Sequence, residues 1–117
     1  MSSYERLKAW QLAYQLALTI YDATDAFPRD ERFGLTSQLR RAGFSVPANI
    51  AEGAAKRGRR EFRRFLDIAL GSITEIEVAL RIGRDRQYIT RERWVEVEAL
   101  RNHCGIVLWK LYRSMSD

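Results

Sequence analysis

The stretch Phe27 to Gly53, FPRDERFGLTSQLRRAGFSVPANIAEG, contains a helix stop, a helix start and a proline set inside a helical register. Phe27-Pro28 closes the apolar run that begins at Leu7, because proline disfavours the α conformation in the residue before it and has no N–H to continue the ladder. Arg29 to Arg32 form a short polar connection. From Leu35 onward, Leu39, Ala42, Val46, Ile50 and Gly53 recur at steps of three and four, the spacing of one helical face, and the phase survives Pro47. One bent helix accounts for that continuity. The proline ring would press on the carbonyl of Gly43, four residues earlier, where a missing side chain leaves the backbone room to bend. The other reading is a helix that restarts with Ser45 as its cap and Pro47 in its first turn.

On either side of this segment the chain divides into helices with little left over. A first helix, about Glu5 to Ala26, places Trp10, Ala13, Ala17, Ile20 and Thr24 on one stripe and Leu7, Tyr14, Leu18 and Tyr21 on a flanking one, which implies two packing partners. A third, about Arg60 to Arg84, carries Phe62, Phe65, Leu66, Ala69, Ile73, Ile76 and Leu80, with Gly71 and Ser72 small enough to admit a neighbouring backbone. A fourth starts from Thr90 as N-cap, with Glu92 in its first turn, and presents Trp94, Val97, Cys104, Leu108, Leu111 and Met115. Four long amphipathic helices on short connections predict an all-α, up-and-down antiparallel four-helix bundle with a kinked second helix, as one domain over residues 1–117. A chain of this length buries roughly two-thirds of its extended surface and needs no covalent staple. Its single cysteine, Cys104, excludes an internal disulfide framework. No apolar stretch reaches the roughly 20 residues that span a bilayer, and the N-terminus, MSSYERLKAWQ, lacks the unbroken apolar segment of a secretory signal. These features predict a cytoplasmic protein with no membrane contact.

The side chains supply little catalytic chemistry. His103 is the only histidine, and Leu100, three residues before it, stands where a di-iron bundle would need the glutamate of a Glu-x-x-His motif. His103 and Cys104 are adjacent on a helix and point about 100 degrees apart, too far for a nucleophile and its base. Neither a phosphate loop nor a dinucleotide fingerprint is present. The acid pairs Glu75/Glu77 and Glu96/Glu98 fall on different helix faces and read as solvated or salt-bridged. The expectation is a protein that is not an enzyme and needs neither metal nor cofactor.

Three blocks in order resemble a known family: LKAWQLAYQLALTIY at Leu7 to Tyr21, the Phe27 to Gly53 stretch, and EFRRFLDIALGSITEIE at Glu61 to Glu77. The chain is similar, over roughly its first two-thirds, to the four-helix-bundle family of the 23S ribosomal RNA intervening-sequence protein. That family is itself similar to Avd, the accessory variability protein of diversity-generating retroelements. Where the family commonly has a small hydroxyl cap, this chain has Gly58-Arg59-Arg60. The resemblance implies no catalytic activity. It assigns Arg40, Arg41, Pro47, Asn49, Glu52 and Gly53 to a family motif with a structural or assembly role, and it implies a homo-oligomer, a cyclic pentamer with a central channel. Apolar residues beyond the bundle seams, at Leu7, Tyr14, Leu18 and Tyr21 and at Val95, Ile106, Val107 and Trp109, independently call for a second subunit.

Asn49 and Glu52 lie three apart on one face near the C-terminal end of the second helix. A carboxylate there opposes the helix dipole and calls for an arginine from a neighbouring helix or subunit, while Gly53 permits close packing or the exit of the chain. The charge pattern gives the clearest functional clue. The formal charge is +5, and Lys56, Arg57, Arg59, Arg60, Arg63 and Arg64 crowd the turn before the third helix and its first two turns. Arg59 and Arg60 stand at the positive end of that helix, each unfavourable by roughly 0.3–1 kcal/mol unless an anion meets them. A solvated basic turn, balanced by Glu61 and Asp67, is the competing account. Two functions follow: binding of RNA or DNA backbone without base reading, or scaffolding of an acidic protein partner such as a reverse transcriptase.

Overall fold

The computed structural model describes residues 2–115. Four α-helices follow one another: α1 (Lys8–Thr24), α2 (Leu35–Ala54), α3 (Arg59–Asp85) and α4 (Arg91–Ser114). Each packs on its neighbours in sequence and α4 closes back on α1, with α2 against α3 the most extensive pairing, so the connectivity is up-and-down and antiparallel. At about 1.5 Å per residue α3 alone spans about 40 Å, and this sets the long axis of a body measuring 44 × 24 × 23 Å.

Residue choice at the helix ends explains where they stop. A 3-10 turn, Ser3–Arg6, precedes α1, and Leu7 is extended, so the first helix starts later than periodicity predicts. Tyr4 packs edge-on against Trp10, 4.9 Å between ring centres, and this folds the N-terminal turn back along the bundle. At the other end Thr24 turns its hydroxyl onto the Ile20 carbonyl at 2.7 Å, and α1 finishes there rather than at Ala26. A second 3-10 turn, Arg29–Glu31, leads to α2, whose first amide, that of Leu35, donates to Glu31 Oε1 at 3.0 Å. Tyr88, from the α3–α4 turn, donates its hydroxyl to the other oxygen of Glu31 at 3.0 Å, tying two connections together. These bonds hold the Glu31 carboxyl below the usual carboxylate range; the Leu35 amide contributes most, then Tyr88, with Arg86 adding to them. Thr90 caps α4 as expected, accepting from the Arg93 amide at 3.2 Å.

Helix α2 runs unbroken through Pro47, which is buried, so the single-helix reading holds and the restart at Ser45 does not. Gly43 serves packing as well. A Cβ built there would meet Ile20 Cδ1 at 3.1 Å and the Ala17 backbone at 3.7 Å, which makes Gly43 the point where α1 and α2 approach. Gly71 does not admit a neighbour as expected, since a Cβ there meets nothing within 4 Å; Ser72 is buried and donates to Ser45 Oγ at 2.8 Å.

The core runs along the whole bundle, with Leu16, Ile20, Leu39, Val46, Ile50, Leu66, Ile76, Leu80, Val97 and Leu108 sealed from solvent. On α1 the core stripe is Ala9, Leu12, Ala13, Leu16, Ile20 and Ala23. Trp10 is only partly buried, so the first helix is rotated relative to the predicted Trp10–Thr24 stripe; of the predicted flanking stripe Tyr14, Leu18 and Tyr21 are exposed, whereas Leu7 packs partly buried against the core. Among the described residues no helix is long and apolar enough to cross a membrane.

Candidate functional site

Helix α2 ends at Ala54 and α3 begins at Arg59, so the basic run occupies a tight turn and the first turns of the longest helix. Gly58 makes the turn at φ +86°, a conformation that favours glycine, and caps α3 with no side-chain bond. The close approach beneath is set by Gly53. A Cβ on it would lie 2.8 Å from Phe65 Cβ and 3.2 Å from the Phe62 carbonyl oxygen, so the absence of a side chain lets the end of α2 rest on α3.

The cations sort into two groups. Lys56 Nζ and Arg64 Cζ lie 5.5 and 4.7 Å from the centre of the Phe65 ring, and Arg64 also pairs with Glu61 at 3.1 Å. Arg63 lies with its Cζ 4.6 Å from the Tyr112 ring centre on α4, and its Nε is buried without a hydrogen-bond acceptor. Arg57, Arg59 and Arg60 are exposed and have no acidic partner among the described residues. Arg60, Arg63, Arg64 and Tyr112 border a depression of about 490 Å³, with Glu61 and Asp67 on its wall. A cation stacked on an aromatic ring keeps those in-plane N–H groups that are neither bonded, as Arg64 Nε is, nor buried, as Arg63 Nε is, for donation to an oxyanion.

The other motif residues lie mostly elsewhere. Arg40 fastens the end of α1: its Nε donates to Thr24 Oγ1 at 2.8 Å, one terminal nitrogen donates to Asp25 Oδ1 at 2.9 Å, and the guanidinium lies 4.8 Å from the Tyr21 ring centre. Arg41 is exposed, donating to Gln38 Oε1 at 3.2 Å and approaching Glu75 at 3.7 Å. Asn49 turns inward and donates to the Ser45 carbonyl at 2.8 Å and to Ser45 Oγ at 3.0 Å, joining the Ser45–Ser72 bond that bridges α2 and α3. Glu52 is exposed and has no ion-pair partner among the described residues, so no arginine of a neighbouring helix in the same chain answers it.

One charged residue in the core escapes a reading by apolar periodicity. Arg101 is buried and lies in the α4 stripe between Val97 and Cys104. It donates to both oxygens of Glu98, at 2.8 and 2.6 Å, and approaches Glu77 of α3 at 3.7 Å. The bonds to Glu98 raise its pKa, against the opposing effect of burial. The signal was in the spacing, since Val97, Arg101, Cys104 and Leu108 share one face. Cys104 below it is fully buried, and burial pushes its thiol up to about 12, which leaves negligible thiolate at neutral pH. His103 is exposed beside it. Among the described residues no group of three or more His, Cys, Asp or Glu side chains could hold a metal ion.

The geometry thus defines an all-α antiparallel four-helix bundle with one basic end. Residues 5–110 match the family described as 23S rRNA-intervening sequence protein, and the chain belongs to that family. In structure it is similar to a crystallised protein of unknown function from the S23 ribosomal protein family of Bacteroides thetaiotaomicron VPI-5482. The two share 25% identity and a TM-score of 0.80 over 89% of this chain and 97% of the other. No curated protein matches the chain in sequence.

Proposed function

We propose that the chain is a non-catalytic accessory protein that assembles into a ring and binds RNA or DNA backbone through its basic end. The observation that carries this reading is the state of Arg57, Arg59 and Arg60. They crowd the positive end of a 27-residue helix and, among the described residues, have no carboxylate to neutralise them. A surface with that charge contacts phosphates, which carry no sequence information.

Assembly supports the same function. Tyr14, Leu18, Tyr21 and Phe44 are between 45% and 64% exposed and, with Trp10 and Pro47, line an apolar groove of about 390 Å³ between α1 and α2. An exposed aromatic surface of this kind is the kind another subunit covers. A head-to-tail contact whose rotation closes gives a ring, and the family resemblance selects a pentamer. Repeating the basic end around a ring would convert a weak phosphate contact into an avid one.

Two measurements test the reading. Light scattering at micromolar concentration should return five times the 13.7 kDa chain mass, and a monomer mass would refute assembly. Binding to RNA or DNA should fall linearly in a log–log salt plot, and changing Arg59, Arg60, Arg63 and Arg64 together to Gln should weaken binding and flatten the slope. No binding at low salt refutes the nucleic-acid role. Capture of an acidic protein such as a reverse transcriptase, with a shallow salt response, would favour the scaffolding role instead.

A further inference from the structure

Beside the basic end lies an aromatic step that phosphate binding does not use. Trp109 and Tyr112, one turn apart on α4, are stacked with ring centres 5.4 Å apart and planes 21° from parallel. The guanidinium of Arg63, from α3, lies 4.6 Å from the Tyr112 ring centre, so three flat groups cluster across the α3–α4 seam. Trp109 is 49% exposed in the single chain, and the face that the proposed assembly uses for subunit contact is the α1–α2 groove at Tyr14 and Phe44, which does not include it. The groove at Trp109, about 780 Å³ and bordered also by Lys110 and Arg113, shares Asp67 with the depression at Arg60 and Arg63, so the two recesses adjoin along the seam.

We propose that this seam is a platform for single-stranded nucleic acid, in which an unpaired base stacks on Trp109 while the neighbouring cations hold the flanking phosphates. The inference rests on the reading of the basic end as a phosphate-binding surface, and adds the strand state that the surface selects. The chemistry is specific to single strands. In a duplex every base face is already covered by its neighbours, so an exposed indole gains nothing from it, whereas a free strand offers a π-face to any aromatic ring it meets. Arg63 borders the depression and has no carboxylate partner among the described residues, so its guanidinium stands where a flanking phosphate would lie. Around the joined recesses Arg64 and Glu61 pair with each other, and Arg60, Arg63 and Lys110 outnumber the remaining carboxylate, Asp67. That balance favours a polyanion over an acidic-poor protein surface as the occupant.

The test compares labelled oligo(U) RNA with an RNA duplex of equal phosphate count, at fixed salt, on the intact chain and on Trp109→Ala and Trp109→Phe, with the mass of each variant checked by light scattering. The platform requires three results together. The native chain binds the single strand more tightly; Trp109→Ala weakens that binding by about tenfold and leaves duplex binding and the salt slope unchanged; Trp109→Phe retains most of the affinity. An oligonucleotide of abasic sites should bind the native chain as weakly as oligo(U) binds Trp109→Ala. Equal affinity for strand and duplex with a steep salt slope would overturn the platform while leaving phosphate binding intact. Absence of binding to both at low salt would overturn both. Loss of assembled mass in Trp109→Ala would make Trp109 a subunit contact and also overturn the platform.

Discussion

Replacing glycine by alanine at three helical positions should change stability in opposite directions, because the added methyl meets different surroundings at each. At Gly53 the new Cβ would stand 2.8 Å from Phe65 Cβ and 3.2 Å from the Phe62 carbonyl oxygen. Both are fixed to the α3 backbone, so no rotamer change relieves the clash and α2 must lift from α3 at their tightest crossing. Overpacking of this kind costs about 1–3 kcal/mol. The helix-propensity gain of alanine is at most about 1 kcal/mol, and less so close to the helix end. The balance is a loss of about 1–2 kcal/mol, and at about 4 °C per kcal/mol for a chain of this size the midpoint should fall by about 4–8 °C.

At Gly71 a Cβ meets nothing within 4 Å, so Gly71→Ala should show the propensity gain alone and raise the midpoint by about 2–4 °C. Gly43 lies between, since its nearest obstacle is Ile20 Cδ1 at 3.1 Å, the far end of a side chain that can shift by a few tenths of an ångström. Gly43→Ala should change stability by less than about 0.5 kcal/mol. Thermal melts followed by circular dichroism, with urea midpoints as a second scale, rank the three. A rise for Gly53→Ala as large as that for Gly71→Ala would refute the account of the α2–α3 crossing.

Three further outcomes follow from buried or bonded groups. Arg101→Ala leaves Glu98 unpaired against the core and should cost about 3 kcal/mol, whereas Arg101→Met, which fills the space, should cost less; equal losses in urea titrations would count against the ion triad. Glu31 has a folded pKa below its unfolded value, so its stabilising effect is present above the unfolded pKa and is lost as pH falls through the folded one. The stability difference between the native chain and Glu31→Gln should therefore be full at neutral pH and shrink below about pH 4, and a difference that stays constant with pH would argue against the bonds to Leu35 and Tyr88. Cys104, buried with its thiol raised to about 12, should resist a disulfide reagent at pH 8 until denaturant opens the bundle; prompt labelling of the folded protein would contradict its burial.

What the sequence made legible depends on whether one element or two decide the feature. The continuity of α2 through Pro47 could be read in advance, because phase along one helix is a local property and Leu39, Val46 and Ile50 stay on the face that proves to be core. The rotation of α1 could not. Counting apolar residues gives weight to Trp10, but the seam with α2 is built at the Gly43–Ala17 approach, where small side chains bring backbones together and the large ring is left at the edge beside Tyr4 and Tyr14. Arg101 was hidden for a related reason: a cation in a core stripe looks like an interruption until Glu77 of α3 and Glu98 of its own helix come beside it.

The basic run shows the same division inside the candidate site. Six cations between Lys56 and Arg64 can be counted in the sequence, but the count does not say which of them an anion could reach. That depends on rings contributed from elsewhere in the fold. Phe65 gathers Lys56 and Arg64, and Tyr112 of α4 gathers Arg63, leaving Arg57, Arg59 and Arg60 as the open charges at the positive end of α3. A solvated turn would need no such sorting, because water screens a mobile arginine wherever it points. Stacking restricts some guanidiniums and orients their donors along the α3–α4 seam, at a helix start that Gly58 leaves without a side-chain cap. In the proposed reading Lys56 and Arg63, held against rings and without a carboxylate partner among the described residues, would meet a phosphate with part of the ordering entropy already met by folding, while Arg57, Arg59 and Arg60 would be ordered on binding.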